Sequence, residues 1–459
     1  MTIQGGSPGA TLDGNATGSV LTIVSLSAPT LTVRNLTITN GLSHDGGGIS
    51  DFFCFATVNL VNALVTENTA TDTGGGIAGC GIFNVTNSTI SDNTAGGVGS
   101  GGGIYEAAQS LTVTNSSVTG NHAASTSPVF GGGGIYANST SLVLTGATVS
   151  RNTTTTSGGG IDMTGNTLSA TGSTISGNTA ADDGGGIEAV STFATLTATH
   201  VSANTAGGNG GGIDFGDAFE LIIGSPVRSG GAASPSLARG PRPSGGPPAV
   251  PAAAAQPQVP TVVFQGLDLE SSTVDHNTAQ SGAGGGIDNF ACNFDSAVLI
   301  NNSTVAFNRA TGSDLDTDSG GGGYSQYGNE CGFDTTASLV ATNSSFGGNL
   351  AKSSVGGGIF NVNLEPGGAA LVTLEQSSVQ RLPMSLNDNQ AAYGGGMFNW
   401  GDGANTTLQA GAHVIHNQAS VNGGGVFDDC AATLTVAPGA LIMFNMQVVT
   451  NLGPCVVND

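Results

Sequence analysis

Basic residues are scarce in this chain, where 8 of 459 residues are Lys or Arg against 31 Asp and Glu. A formal net charge of −23 cannot neutralise phosphates, so nucleic acid and anionic membranes are excluded as expected partners. No apolar run approaches the roughly 18 residues of a transmembrane helix, and we expect no membrane insertion. The opening MTIQGGSPGATLDG lacks the basic and apolar regions of a signal peptide, and we interpret it as the middle of a chain truncated at its N-terminus.

Two further absences narrow the class of protein. Glycine contributes 77 residues, well above the usual share of about 7%, but there is no Gly-x-y period, and collagen is excluded. Charged residues make up only 8% of the chain, which excludes a disordered chain extended by its own charge. The glycines occur instead as triplets at regular positions, which is typical of an ordered repeat.

The repeat is clearest from residue 158 to residue 215. Gly-Gly-Gly-Ile units close at Ile161, Ile187 and Ile213, in two steps of 26 residues, and each is preceded by an apolar residue, two others and Asn, as in Ile175–Asn178. Self-similarity at such a period indicates a solenoid, in which one unit cannot bury its own apolar face. The residues that close the units along the chain are Ile49, Ile77, Ile104, Ile135, Ile161, Ile187, Ile213, Ile287, Tyr324, Ile359, Met397 and Val426.

Each unit contains three short runs of alternating apolar and polar residues, separated by Gly, Asn, Asp and Ser. This pattern predicts strand, turn, strand, turn and strand. The sequence therefore predicts an all-β parallel β-helix (β-solenoid) of about twelve three-strand coils, forming a single domain over residues 1–459. We expect the recurring Asn side chains to form an amide ladder and the glycines to adopt positive φ at sharp bends.

One segment interrupts the repeat between Ile213 and Ile287. Its middle reads SPVRSGGAASPSLARGPRPSGGPPAVPAAAAQPQVP, and Pro, Gly and Ala at this density cannot form a β-ladder. We predict that residues 224–260 are a disordered insertion between the first and second strands of one coil. The coils on either side are expected to remain stacked.

The alternation of Gly-Gly-Gly-Ile with apolar-x-x-Asn resembles the polymorphic outer-membrane-protein repeat of bacterial surface proteins. The wider class is the right-handed parallel β-helix, or pectin-lyase-like fold, and the resemblance covers nearly the whole chain outside residues 224–260. It implies a right-handed helix and an extracellular or cell-surface protein, often adhesive. No membrane-barrel segment of the autotransporter type follows the repeats, which departs from that pattern.

The candidate ligand-binding site is a column of side chains directly after each triplet unit. If the closing residue faces the core, the next one faces outward, and stacked strands bring these residues within about 4.8 Å of one another. Tyrosines beside carboxylates suit a glycan, so we predict a non-catalytic adhesion or glycan-binding module that acts as a monomer. The predicted binding residues are Tyr105, Tyr136, Asp162, Glu188, Asp214 and Asp288, within the column Ser50, Ala78, Tyr105, Tyr136, Asp162, Glu188, Asp214, Asp288, Ser325, Phe360, Phe398 and Phe427.

The alternative is a polysaccharide lyase or hydrolase that uses the same acidic strip. Neighbouring carboxylates at this spacing match the geometry of retaining glycosidases, and Asp162, Glu188, Asp214 and Asp288 would then be catalytic. The spacing is imposed by the fold, however, and the chain has almost no Lys or Arg to serve as the base of a lyase. We therefore assign no catalytic residue in the favoured interpretation.

Calcium is the candidate cofactor. Asp314, Asp316 and Asp318 alternate as in a calcium loop, although the Gly and the closing Glu of an EF-hand are missing. The six histidines form no ligand motif. Solvated acidic side chains are the alternative interpretation of the loop.

Cysteines and threonines each suggest one further feature. Cysteines at equivalent positions of neighbouring coils are close enough for disulfides, which would place the chain in an oxidising, extracellular compartment. Threonine runs such as LTVT at 111–114 and TLTAT at 195–199 allow an ice-binding array, although Thr is also an ordinary solvent-facing strand residue. The predicted disulfide cysteines are Cys54, Cys80, Cys292, Cys331, Cys430 and Cys455.

Overall fold

In the computed structural model the chain is a succession of short strands, with no helix in the described part. Every pair of neighbouring strands in the four sheets is parallel, and each strand pairs with its equivalents in the preceding and following repeats. This architecture is all-β and compatible with a parallel β-helix. The structure describes residues 1–452 except 7–8, 26, 52, 54, 98–100, 128–130, 140, 166, 191, 217–264, 293, 313–319, 329–333, 353, 364–365, 377–383, 430 and 447–448.

Four strands, one in each sheet, make up a repeat. Sheet 1 begins directly after the Gly triplet, and sheets 2, 3 and 4 follow in chain order. The strands of sheet 1 are Leu21–Ile23, Ile49–Asp51, Ile77–Gly79, Ile104–Glu106, Ile135–Ala137, Ile161–Thr164, Ile187–Val190, Ile213–Gly216, Ile287–Phe290, Tyr324–Gly328, Ile359–Asn363, Met397–Trp400, Val426–Asp429 and Val449–Leu452.

Sheet 2 holds the longest strands, with apolar residues facing the core and mostly polar residues facing outward. Its strands are Thr2–Gln4, Thr30–Arg34, Thr57–Val61, Ile82–Thr86, Ser110–Thr114, Ser141–Thr145, Thr167–Thr171, Phe193–Thr197, Gln265–Glu270, Ser296–Asn301, Thr336–Thr342, Ala369–Glu375, Ala404–Leu408 and Thr433–Val436.

Sheet 3 carries the apolar residue of each apolar-x-x-Asn signature. Its strands are Ala10–Asp13, Leu36–Thr39, Leu64–Thr66, Thr89–Ser91, Ser117–Thr119, Thr148–Ser150, Thr174–Ser176, His200–Ser202, Thr273–Asp275, Thr304–Ala306, Ser345–Gly347, Met384–Asn387, Ala412–Ile415 and Leu441–Met443.

Sheet 4 corrects the prediction of three strands per repeat. Most of its strands are only two residues long, such as Thr179–Ala180, and two residues cannot display an alternating pattern in the sequence. The strands of sheet 4 are Leu42–Ser43, Thr69–Ala70, Thr94–Ala95, His122–Ala123, Thr153–Thr154, Thr179–Ala180, Thr205–Ala206, Thr278–Ala279, Arg309–Ala310, Leu350–Ala351, Gln390–Tyr393 and Gln418–Asn422.

Residues 224–260, predicted to be a disordered insertion, lie outside the described residues. The strands on either side of the gap at 217–264 remain in the sheets. Ile213–Gly216 pairs with Ile287–Phe290 in sheet 1, and Phe193 pairs with Gly266 in sheet 2. The stacking of strands thus continues across this part of the chain.

The predicted amide ladder is confirmed. Each Asn donates its Nδ2 to Oδ1 of the Asn in the next repeat at 2.9–3.1 Å and also to a backbone carbonyl; Asn178, for example, bonds to Asn204 and to the carbonyl of Val149. The same Oδ1 atoms accept backbone N–H groups, as in the bond from Asn152 N to Asn178 Oδ1. The ladder runs through Asn68, Asn93, Asn121, Asn152, Asn178, Asn204, Asn277, Asn308, Asn349, Asn389, Asn417 and Asn445.

Three backbone positions adopt the left-handed conformation in most repeats, and the third of these is the turn between sheets 2 and 3, as at Asn115 with φ 47°. The first glycine of the triplet has positive φ, as at Gly158 with φ 68°, in agreement with the prediction for glycine. The second position is the residue before the ladder Asn, such as Arg151, rather than the Asn itself. The side chain of the ladder Asn is held in the core by its hydrogen bonds. The positive φ occurs instead at the preceding residue, whose side chain points to solvent.

Replacing one ladder residue tests how much the amide column stabilises the fold. Asn178→Ala leaves the backbone N–H of Asn152 and the carbonyl of Val149 without their partners inside the core. An unsatisfied buried polar group costs about 1–3 kcal/mol, so we expect a loss of about 3 kcal/mol or more. Urea unfolding measures it, with the half-buried, outward-facing Asn84→Ala as a control that changes stability by less than about 0.5 kcal/mol. Equal effects of the two substitutions would contradict the role of the ladder.

Candidate functional site

The column after the Gly triplets is in register but does not face solvent. Asp162 pairs with Glu188, Glu188 with Asp214, and Asp214 with Asp288 on successive strands of sheet 1. Asp162, Asp214 and Asp288 are only 4%, 3% and 1% exposed, and Glu188 is half-buried. The prediction that these carboxylates form an exposed strip is therefore wrong.

The reason is a second buried layer on the outer side of sheet 1. Ile161 belongs to the main core, as predicted, so the inside-outside assignment of the strand is correct. The backbone at the first glycine of each triplet lies against the residue that follows the closing Ile. A Cβ added to Gly158 would be 2.5 Å from Cβ of Asp162, and a Cβ added to Gly210 would be 2.5 Å from Cβ of Asp214. The glycines thus cover the column with backbone.

The same layer covers the aromatic parts of the column. Tyr105 is half-buried and Tyr136 is buried, and their rings stack with centroids 5.4 Å apart. Towards the C-terminus Phe360 is buried, and the rings of Phe398 and Phe427 stack 4.8 Å apart. The predicted order of tyrosines, carboxylates and phenylalanines is present but mostly buried, and Phe360 belongs to a second small hydrophobic cluster with Tyr327 and Val362.

Burial dominates the electrostatics of the carboxylates. It raises the pKa of Asp162 to about 7, opposed by the backbone N–H that Gly131 donates to Asp162 Oδ2 at 2.9 Å. Burial, and then the charge of Asp214, holds the pKa of Glu188 well above its usual range. Asp288 accepts a short hydrogen bond from the Ser325 hydroxyl. The raised pKa values of Asp162 and Glu188 favour their neutral forms, which reduces the repulsion between neighbouring carboxylates.

A buried polar column in sheet 1 escaped the sequence analysis. Gln326 Nε2 donates to Asn361 Oδ1 at 2.5 Å, and Asn361 Nδ2 donates to Asn399 Oδ1 at 2.7 Å. Asn399 Nδ2 then donates to Asp428 Oδ1 at 2.7 Å, and all four residues are buried. The sequence does contain a pattern that predicts this column. The third residue of each sheet 1 strand is polar from Asn289 onwards, and alternation places it on the same inner side as the first residue of the strand.

The metal predictions have different outcomes. Asp314, Asp316 and Asp318 lie outside the described residues. Within the described ranges, one group of three residues brings a potential ligand atom from each to within 4.8 Å, and it contains a histidine that the sequence analysis set aside: His44, Asp45 and Asp72. His44 Nδ1 lies 3.0 Å from Asp45 Oδ2, and this contact raises the pKa of His44. His44 and Asp45 are exposed, and solvated groups of this kind are common without a metal.

The cysteine prediction is tested at two positions. Cys80 and Cys292 are both disulfide-bonded. Cys54, Cys331, Cys430 and Cys455 lie outside the described residues, so the pairing stays a prediction.

The outer side of sheet 2 does meet solvent. Phe193 is 47% exposed and lies over Gly266 of the next strand, where an added Cβ would be 3.5 Å from Phe193 Cδ1. On the same strand as Gly266, Asp268 and Glu270 stand on the outer face and are half-buried. Burial raises the pKa of Asp268, and the charge of Glu270 adds to the effect.

Neighbouring groups hold this patch in place. Glu270 Oε1 accepts hydrogen bonds of 3.0 Å from Ser271 Oγ and from Asn302 Nδ2. Thr195 pairs with Asp268, and Thr197 with Glu270, so hydroxyls flank the carboxylates one strand away. An exposed ring beside fixed hydrogen-bond acceptors is an arrangement that binds the apolar face and the hydroxyls of a sugar.

No protein-family model, curated protein or solved structure matches this chain. Among the described residues no helix has the length and hydropathy needed to cross a bilayer.

The buried carboxylates predict an unusual dependence of stability on pH. Asp162 has a pKa of about 7 when folded, against about 3.9 when unfolded, so between these values the unfolded chain loses a proton that the folded chain keeps. Stability from this group is full below about pH 4 and is lost as the pH rises to 7, with a slope on the order of 1 kcal/mol per pH unit.

Asp162→Asn removes the titrating group while keeping an acceptor for Gly131 N–H, so urea unfolding should show a flatter pH profile and higher stability at pH 8. Asp402→Asn, at an exposed carboxylate, is the charge-matched control and should leave the profile unchanged. A profile that rises between pH 4 and 7 and is insensitive to Asp162→Asn would contradict the burial argument.

Proposed function

We propose that the chain is a non-catalytic glycan-binding module of a secreted or cell-surface adhesion protein, and that it binds on the outer face of sheet 2 around Phe193. The observation that carries the proposal is the exposed ring of Phe193 seated on Gly266 beside Asp268 and Glu270. A large aromatic side chain this exposed, with its lower face supported by backbone, offers its upper face to a ligand. This location replaces the buried column of sheet 1.

The polar neighbours favour a sugar over an apolar ligand. Asp268 and Glu270 offer carboxylate oxygens to sugar hydroxyls, and Thr195 and Thr197 offer hydroxyls in the adjacent strand. The glycan that fits is an extended, neutral or amine-bearing chain, because an acidic polysaccharide would meet repulsion from a protein with a net charge of −23.

Several finer expectations belong to the same proposal. Four parallel sheets and twelve triplet units support a right-handed β-helix of about twelve coils, with residues 224–260 as an insertion, related to the polymorphic outer-membrane-protein repeat within the pectin-lyase-like class. We further propose an extracellular location and a monomer that binds neither nucleic acid nor membranes. Disulfide-bonded Cys80 and Cys292 support the oxidising compartment. Calcium at Asp314, Asp316 and Asp318 is part of the proposal.

The enzyme alternative has less support than its sequence pattern suggested. Asp162 and Asp214 lie beneath the glycines of their own triplets, where a glycosidic bond cannot reach them without movement of the backbone. Cleavage nevertheless remains a defined outcome of the binding experiment, because shortened glycan chains would reveal it.

The proposal is tested by incubating the purified chain with an array of neutral, amine-bearing and acidic polysaccharides, with calcium and with EDTA. We expect retention of neutral or amine-bearing chains without shortening. Phe193→Ala should weaken binding about tenfold, because an aromatic contact contributes roughly 1 kcal/mol or more. Loss of retention in EDTA would assign calcium a role in binding.

The matched control is Phe307→Ala, which removes another exposed phenylalanine ring, one that contacts His276 beside sheet 3. Its affinity should equal that of the unmodified chain. Shortened glycans would overturn the non-catalytic assignment, and equal effects of the two phenylalanine substitutions would overturn the location of the site.

A further inference from the structure

A regular column of threonines runs along the outer face of sheet 2, and its last member, Thr197, also flanks the proposed glycan patch. Thr86, Thr114, Thr145, Thr171 and Thr197 occupy the same position in five successive strands and pair directly, without a shift of register. A second column, two residues away on the same face, contains Asn84, Thr112, Val143, Ser169 and Thr195. The pleated strands set a lattice of about 4.8 Å between strands and about 6.6 Å along them.

The hydroxyls of the first column are available to a ligand. Within the described part of the chain, the side chains of Thr86, Thr114, Thr145, Thr171 and Thr197 have no hydrogen-bond partner. Hydroxyls on the adjacent sheet 3 behave differently, because some of them bond to one another between strands. Thr66 bonds to Ser91 at 3.1 Å, and Thr119 bonds to Ser150 at 3.2 Å.

This face is also uncharged in a strongly acidic protein. The five strands from Ile82–Thr86 to Phe193–Thr197 contain no Asp, Glu, Lys or Arg, whereas the chain as a whole carries 31 Asp and Glu and 8 Lys and Arg. The first carboxylates on this face come one strand later, at Asp268 and Glu270. A surface without fixed charge does not attract ionic ligands, and it suits an uncharged partner.

The partner must itself be periodic, because the surface offers repetition rather than a pocket. The amide ladder lies at the turn between sheets 3 and 4 of the same repeats and fixes the spacing from one repeat to the next. A rigid array of weak donors and acceptors binds strongly only to a lattice that engages many of them at once. We propose that the outer face of sheet 2 from strand Ile82–Thr86 to strand Phe193–Thr197 binds ice, with the threonine hydroxyls and methyl groups engaging ordered water.

The test is thermal hysteresis, the gap between the melting and freezing temperatures of a single ice crystal in a solution of the full chain. We expect a measurable gap with faceted crystals, together with inhibition of ice recrystallisation. Thr171→Lys puts a charged, bulky side chain into the middle of the array and should abolish the gap. Thr171→Val keeps the shape and removes one hydroxyl, so it should reduce the gap while leaving the fold intact.

The matched control is Thr174→Lys, which places the same charge on sheet 3 of the same repeat. It should retain the full gap, and thermal unfolding would show that all three variants fold. Absence of a gap in the unmodified chain would overturn the proposal, as would equal losses in Thr171→Lys and Thr174→Lys.

The outcome is distinguishable from that of the glycan proposal. Phe193→Ala should weaken glycan binding, whereas Thr171→Lys should abolish ice binding with little effect on retention at Phe193. If Thr171→Lys removes glycan retention and the unmodified chain shows no hysteresis, the threonine array belongs to a polysaccharide surface and the ice proposal is wrong.

Discussion

The hydrogen bond between one asparagine side chain and the next is the interaction on which the rest of the structure depends. Each amide in the ladder satisfies a backbone carbonyl and a backbone N–H of its neighbours, as Asn178 does for Val149 and Asn152. This network fixes the register of one repeat on the next, because a slip by one residue would break every bond at once. The ladder therefore also sets the distance between equivalent outward-facing side chains of neighbouring repeats, whether these are polar or aromatic.

The Gly triplets impose the second constraint. Positive φ at the first glycine turns the chain back over sheet 1, and the close approach there leaves no room for a Cβ. The consequence is a second buried layer that encloses carboxylates such as Asp162 and rings such as Phe360. The proposed binding surface therefore lies on sheet 2, where outward-facing side chains such as Phe193 reach solvent.

The sequence predicted the features that depend on long-range repetition. The all-strand class, the parallel stacking and the amide ladder followed from the positions of Asn and the Gly triplets. The two-residue strands of sheet 4 were missed, because Thr179–Ala180 is too short to carry a period. The exposure of Asp162 was wrong for a different reason: alternation tells which side of a strand a residue occupies, but not what covers that side. The patch at Phe193 and Asp268 was also missed, since its two strands are separated in sequence by residues 198–264.

The central claim, that equivalent residues stack at one strand spacing per repeat, is most directly tested by a distance between two labelled positions on sheet 2. Spin labels on Thr86→Cys and Thr197→Cys would be separated by four strand steps. Double electron–electron resonance should then give a narrow distribution near about 19 Å, allowing for the label linkers. A broad distribution, or one centred far beyond that distance, would contradict the in-register stack and the surfaces inferred from it.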